Sequence, residues 1–181
     1  NHVDDWDDPR LPTIKGAIKR GYTPEGFKLF TERIGVSKVD AWIDFLILEE
    51  CMRDVLDKSS LRKFAVLNPL KLIIDNFPSN VDEISCDGLN HPKNHSMGRR
   101  NMPFTKELWI EKEDFIENPP KNYFRLSLGA KVRLRFGFVI ECTGVNKDKK
   151  GEIISVRCNY FPDSKSGTEG FNNYKVKGNI H

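Results

Sequence analysis

An α+β fold, a small N-terminal helical bundle followed by an incomplete antiparallel β-barrel, is predicted by three features of the sequence. Up to about residue 62, apolar residues recur at spacings of three and four, the helical period. From Lys63 the period changes to two, with Val, Ile, Leu and Phe alternating with polar residues. The second part is broken by Pro, Asn, Asp and Gly at intervals that suit turns between antiparallel strands. Helices first and strands afterwards argue for two sub-domains, 1–62 and 63–181.

The elements follow in order. "WDDPRLPTI", residues 6 to 14, suits neither helix nor strand, and the prolines are expected to hold Asp8 and Leu11 extended as the chain enters a helix. Thr13 is placed to cap that helix over 14–20, with Gly21 ending it. Thr23 caps a second helix, Pro24 suits its first position, and Phe27, Phe30 and Ile34 share a face until Gly35. In "WIDFLILEECMRDVLDKSS" the residues Phe45, Leu48, Met52, Val55 and Leu56 mark a third helix. "KFAVLNPLKLIIDNF" reads as two strand segments interrupted at Asn68 and Pro69. Residues 78 to 103 read as a long connection, "ELWIEKEDF" as a strand, and "YFRLSLGAKVRLRFGFVIECTGV", "NKDKKG" and "EIISVRCNYF" as a hairpin about a polar turn.

The chain has 181 residues, 38% apolar and 30% charged, the composition of an ordinary soluble globular protein. No run approaches the roughly 18 to 20 apolar residues of a membrane span, and no signal segment opens the sequence. Four unpaired-looking cysteines, Cys51, Cys86, Cys142 and Cys158, suggest reduced thiols and a cytoplasmic protein. The net charge of +3 is uneven: residues 1–62 hold 10 Lys+Arg against 12 Asp+Glu, and the remainder 19 against 14. The basic excess is too small to require a nucleic acid by itself, so placement decides.

On a single strand over 131–141, Val132, Leu134, Phe136, Phe138 and Ile140 would face one way, and Arg133 and Arg135 the other, about 7 Å apart. Arg157 on the partner strand would extend that exposed surface. Arginine offers a planar fork of donors that fits phosphate oxygens or a base edge. In "KNYFRL", Tyr123 and Phe124 offer stacking faces beside Asn122 and Arg125. "CDGLNHPKNH" holds Cys86, His91 and His95, but a structural zinc needs four ligands, so a loop with a hydrogen-bonded His is the better account. "DSKSG" at 163–167 imitates the end of a synthetase ATP-binding loop, yet lacks the preceding Lys-Met and reads as a turn. Neither a phosphate-cradling loop nor a nucleophile elbow is present, and no catalytic constellation is visible.

"WDDPRLPTIKGAIKRGYTPEGFKLFTERIGV" closely resembles the segment that follows the Met-Ser-Lys signature loop in class I glutaminyl-tRNA synthetases. "LEECMRDVLD", "FAVLNPLKLIIDNFP", "NHPKNHSMGRRNMPFTKELWIEKEDF", "YFRLSLGAKVRLRFGFVIE" and "YKVKGNIH" are similar to later landmarks of that family, in the same order. The nearest competitor is the eukaryotic-type glutamyl-tRNA synthetase, which shares Trp-Asp-Asp-Pro-Arg; a stand-alone RNA-binding barrel is the reading from another class. The resemblance implies a tRNA-binding part of a glutamine:tRNA ligase, with the catalytic half before residue 1 and the rest of two anticodon-binding barrels after His181. It implies ATP and Mg as cofactors of the parent and none on this segment, tRNA(Gln) as partner, glutamine and ATP reached through the catalytic domain, and a cytoplasmic monomer that touches no membrane.

Carried over by local match, Arg62 and Asn122 fall where the family contacts the middle anticodon base, Arg125 the third, and Arg133 and Arg135 the first. Lys38, Lys93, Asn94 and Phe124 are further contact candidates. Three departures touch these positions: Phe124 replaces a Lys frequent in the bacterial family, Leu61 replaces a Pro, and Lys93 and Asn94 stand in reversed order.

Overall fold

The computed structural model describes residues 3–181, and its contacts divide into two compact units, Asn1–Leu61 and Arg62–His181. In the first, α1 (Ile14–Lys19) and α2 (Pro24–Ile34) begin at the residues that the predicted caps Thr13 and Thr23 imply, and α3 (Phe45–Ser59) begins after Asp44, a cap that the sequence reading did not name. Thr13 Oγ1 accepts from the Gly16 amide at 2.9 Å, Thr23 Oγ1 from the Gly26 amide at 3.1 Å, and an Asp44 oxygen from the Leu46 amide at 2.9 Å. Gly21 and Gly35 end α1 and α2 at positive φ. Helices α2 and α3 pack on each other, burying Met52, and Arg33 of α2 bonds Asp54 of α3 at 2.8 Å.

The opening stretch runs through two consecutive turns. The Leu11 amide bonds the Asp8 carbonyl at 3.0 Å, and the Asp8 amide the Asp5 carbonyl at 3.1 Å. The Asp8 side chain is 8% exposed and accepts from the Arg10 amide at 2.8 Å and from Arg10 Nε at 2.9 Å. Asp8 thus joins two consecutive turns, and Pro9 and Arg10 occupy the middle of the second.

The second unit holds β1 (Pro69–Ile74), β2 (Glu83–Leu89), β3 (Arg99–Thr105), β4 (Glu107–Glu111), β5 (Lys131–Leu134), β6 (Val139–Lys147), β7 (Ile153–Tyr160) and β8 (Gly178–Ile180). Six strands form one mixed sheet in the order β4-β1-β7-β6-β5-β8, and β2 pairs β3 as a separate hairpin. The β1–β7 and β5–β8 ladders are parallel, the others antiparallel. The expected barrel, read from the sequence as incomplete, takes the form of an open sheet: β4 and β8 are its two ends, and no ladder joins them among the described residues. The fold class is α+β with an open sheet.

The core lies on one face, where Leu72, Ile74, Ile110, Val132, Ile140 and Val156 are almost fully buried. The β2–β3 hairpin meets that core through Phe104, whose ring lies 4.8 Å from Phe138 and 5.3 Å from Tyr160. These tilted aromatic contacts pin the hairpin to the sheet.

Three local readings change. The predicted long connection over 78–103 contains β2 and most of β3. Their polar outer faces hide the alternation, since of β2 only Cys86 and Gly88 are fully buried. Of the two segments expected around Asn68, only β1 is a strand; the preceding residues are held by Glu111, whose carboxylate accepts the Leu67 and Asn68 amides at 2.5 and 3.0 Å. The single strand expected over 131–141 is two, β5 and β6, reversed at a turn in which the Gly137 amide bonds the Leu134 carbonyl at 2.9 Å and Phe136 sits at φ 64°. The β6–β7 hairpin forms as expected, with Asp148 Oδ1 accepting the Lys150 and Glu152 amides at 2.8 and 2.9 Å.

Candidate nucleic-acid interface

The β5–β6 turn separates the two arginines that the strand reading had placed on one exposed face. Arg133 lies on β5, 7% exposed, beneath the segment 162–174. Its Nη1 donates to the Ser164 carbonyl at 2.7 Å, and its Nη2 to the carbonyls of Phe171 and Tyr174 at 3.1 and 3.4 Å. Burial pulls its pKa down, yet a guanidinium stays charged at neutral pH. The alternation argument assumed that one face of β5 is solvated, and the 162–174 segment covers it.

Arg135, in the turn, is exposed; its main-chain amide bonds the Ile180 carbonyl at 2.9 Å, and its guanidinium lies 5.4 Å from the Phe136 ring centroid. Arg133 and Arg135 still reach one hollow of about 380 Å³, which Asp87, Arg99, Phe136, Ser166, Phe171 and Asn179 also line. Ser166 and Gly167, the end of the "DSKSG" loop, form part of its lining. Ser166 bonds the Gly137 carbonyl through both amide and hydroxyl, and buried Ser164 accepts the Val139 amide at 2.7 Å. The imitation of an ATP-binding loop is thus a turn that docks onto β6.

Arg125 projects from the segment before Leu126, its side chain 55% exposed, and Nη1 bonds the Asp114 carboxylate, which is 5% exposed. Asn122 is exposed at φ 70°, a conformation that Asn tolerates better than most residues. Phe124, 51% exposed, carries Lys177 Nζ 5.4 Å from its ring centroid. The Arg62 amide bonds the Asn90 carbonyl at 2.7 Å, next to the loop where buried His91 accepts the Lys93 and Asn94 amides on Nδ1 at 3.1 and 2.9 Å. That is the hydrogen-bonded loop histidine that the sequence favoured over a zinc ligand. Arg157 is engaged elsewhere, its Nε 3.0 Å from an Asp75 oxygen.

Aromatic contacts join these pieces. Phe64, two residues after Arg62, stacks on Phe136 at 6.0 Å and meets the His181 ring at 5.0 Å, while Arg100 lies 5.6 Å from its centroid. Burial and the charges of Arg135 and Arg125 lower the His181 pKa while Asp114 raises it, and Arg135 and His181 line one apolar hollow. Arg62, Arg125, Arg133 and Arg135 all lie in the unit Arg62–His181. Lys38 lies in the other, in the exposed loop between α2 and α3. The sequence reading did not single out Asp87, Arg99, Arg100, Phe64 or His181; the adjacent arginines of "GRRN" were the available signal.

Residues 60–161 match the family described as tRNA synthetases class I (E and Q), anti-codon binding domain. The chain belongs to that family. Within it, the chain is 59% identical over 179 residues to the glutamine--tRNA ligases of Cupriavidus metallidurans and Ralstonia nicotianae, and 53% identical to that of Nitrosomonas europaea. These alignments cover 99% of this chain, which spans about 31% of the length of the first two relatives and 32% of the third. Among the described residues no helix is long and apolar enough to cross a membrane. No group of three or more His, Cys, Asp or Glu side chains there could hold a metal ion.

Proposed function

We propose that this chain is the tRNA-binding, anticodon-reading part of an ATP-dependent glutamine:tRNA ligase, with tRNA(Gln) as its partner. The observation that carries this is the hollow shared by Arg133, Arg135 and the Phe136 ring, in the same unit as Arg62 and Arg125, in a chain whose relatives bear that name. Guanidiniums supply phosphate contacts and bidentate readout of base edges, and rings supply stacking for unpaired bases. Arg135 and Arg125 present exposed forks to bases, Arg62 and Asn122 flank them, and Phe124 with Lys177 offers a stacking and charged edge. Arg133 builds the wall of the first-base pocket, because three of its donors are already engaged by main-chain carbonyls. Lys93 and Asn94 extend the surface along the His91 loop, and Lys38 contacts the RNA backbone from the helical unit.

The parent reaction is adenylation of glutamine by ATP, with Mg, and transfer of the acyl group to the terminal ribose of the tRNA. No catalytic residue is assigned to this segment. In this reading the protein works in the cytoplasm as a monomer.

The test is fluorescence anisotropy of the 181-residue chain with a tRNA(Gln) anticodon stem-loop and with the same RNA carrying a substituted anticodon. Binding is expected to weaken linearly in log–log salt, and Arg135→Ala to cost the cognate RNA about tenfold while narrowing the preference over the substituted one. Equal affinity of the wild type for the two RNAs overturns the proposal.

A further inference from the structure

Among the described residues only two that are not glycine have positive φ, Asn122 at 70° and Phe136 at 64°. Asn tolerates that conformation through its short polar side chain, whereas a bulky aromatic residue there is a true outlier that costs free energy. Gly137 is the next residue and is not at positive φ. The glycine thus stands one position away from where the turn would use it most cheaply, and a phenylalanine takes the strained place.

Core packing does not account for this, because Phe136 is only half-buried. Its ring stacks on Phe64 at 6.0 Å with 19° between planes, and the pair forms a wall between two hollows. Phe64 lines a mostly apolar hollow of about 190 Å³, while Phe136 lines the 380 Å³ hollow that also holds Arg99, Arg135, Phe171 and Asn179. On that second side Phe136 meets guanidiniums, a carboxylate and an amide, groups suited to phosphates and base edges but not to packing a core. A flat ring, backed by a second ring and bordered by Arg135, is the form of a stacking surface for a nucleobase.

We propose that Phe136 is a stacking platform for one unpaired base of the bound RNA, held in place by the strained β5–β6 turn and the supporting Phe64 ring. This rests on the RNA-reading function assigned above and adds to it a specificity residue, together with a reason for the turn's conformation.

The experiment uses the 181-residue chain, the tRNA(Gln) anticodon stem-loop, and three versions of that RNA with a single abasic site at each anticodon position. Phe136→Asn, which suits a left-handed turn, is expected to keep or raise Tm while losing about tenfold in affinity for the intact RNA. Phe136→Trp is expected to bind the intact RNA at least as tightly as wild type. On one of the three abasic RNAs, and only one, wild type, Asn and Trp variants should bind alike, because the partner of the ring is gone. Asn and wild-type chains of equal affinity for the intact RNA, or an Asn deficit of the same size on every abasic RNA, overturn the platform. Should the Asn variant fail to fold, a Trp variant that does not separate intact from abasic RNA better than wild type overturns it equally. A wild-type chain that does not distinguish cognate from anticodon-substituted RNA is a different failure: it removes the anticodon-reading function, and the platform with it.

Discussion

The guanidinium of Arg133 lies 3.9 Å from the centroid of the Phe171 ring, and the same group bonds the Phe171 carbonyl at 3.1 Å. One side chain thereby fastens a strandless segment, residues 162–174, to β5. Lysine carries the charge but not the planar fork. Arg133→Lys is expected to lower stability by about 2 kcal/mol, read as a drop in the urea midpoint at constant m-value.

Asp114 and Arg125 give a prediction with two separable parts. Arg125→Ala leaves a carboxylate that is 5% exposed without this partner, and the expected cost is about 1 to 3 kcal/mol besides the loss of RNA affinity. The double variant Asp114→Asn, Arg125→Ala should recover most of the stability and none of the affinity. Thermal melts and anisotropy titrations of the three variants check both parts. Recovery of binding in the double variant would show that Arg125 acts through the fold and not on RNA.

The pH dependence of the helical unit has a definite sign. The Arg10 side chain and amide hold the Asp8 carboxyl down at about 2. An unfolded chain releases that proton near 3.9. Asp8 therefore adds stability fully above about pH 4, and the contribution is lost as pH falls through 2. Asp8→Asn should flatten the acid side of the Tm profile between about pH 4 and pH 2, and leave the shape above pH 5 unchanged.

A backbone approach near Phe124 is equally testable. A Cβ on Gly178 would stand 1.8 Å from the Phe124 carbonyl oxygen and 3.0 Å from Val132 Cγ1. The first neighbour is main chain and cannot swing away. Gly178→Ala is expected to destabilise the strand unit by about 1 to 3 kcal/mol and to weaken RNA binding through displaced Phe124 and Arg125. Urea unfolding and anisotropy measure the two effects.

What the sequence disclosed follows from the range over which each signal acts. Thr13, Thr23 and Gly35 act on neighbours within one turn, so the bounds of α1 and α2 were readable without tertiary information. The Asp148 turn is local in the same way, and the β6–β7 hairpin was legible. Phe136 is the counterexample: alternation ran through residues 131–141 without interruption, and nothing in the residue type announces a left-handed turn. Arg133 failed for another reason. Its surroundings are carbonyls contributed 31 to 41 residues later, by a segment whose path depends on Ser164 and Ser166 docking at the turn. The separation of β4 from β8, which leaves the sheet open, is a property of strand order that no periodicity encodes. Alternation and the "KNYFRL" stretch singled out Arg125, Arg133 and Arg135, the family resemblance added Arg62, and the structure leaves Arg135 exposed, pairs Arg125 with Asp114 and buries Arg133.

The parallel pairing of β1 with β7 has a consequence for how the chain comes together. The Asn76 side chain bonds the Tyr160 carbonyl and amide at 2.8 and 2.9 Å across 84 residues, at the end of the same ladder. During synthesis β1, with apolar Leu70, Leu72 and Ile74, leaves the ribosome long before β7 exists. The β6–β7 hairpin is local and nucleates on its own, whereas the β1–β7 ladder must close the largest loop in the sheet. β4 can pair with one edge of β1 much earlier, so the edge that faces β7 is the one that stays unpaired until residues 153–160 have been made, and its closure is expected to be the slowest strand pairing of the sheet.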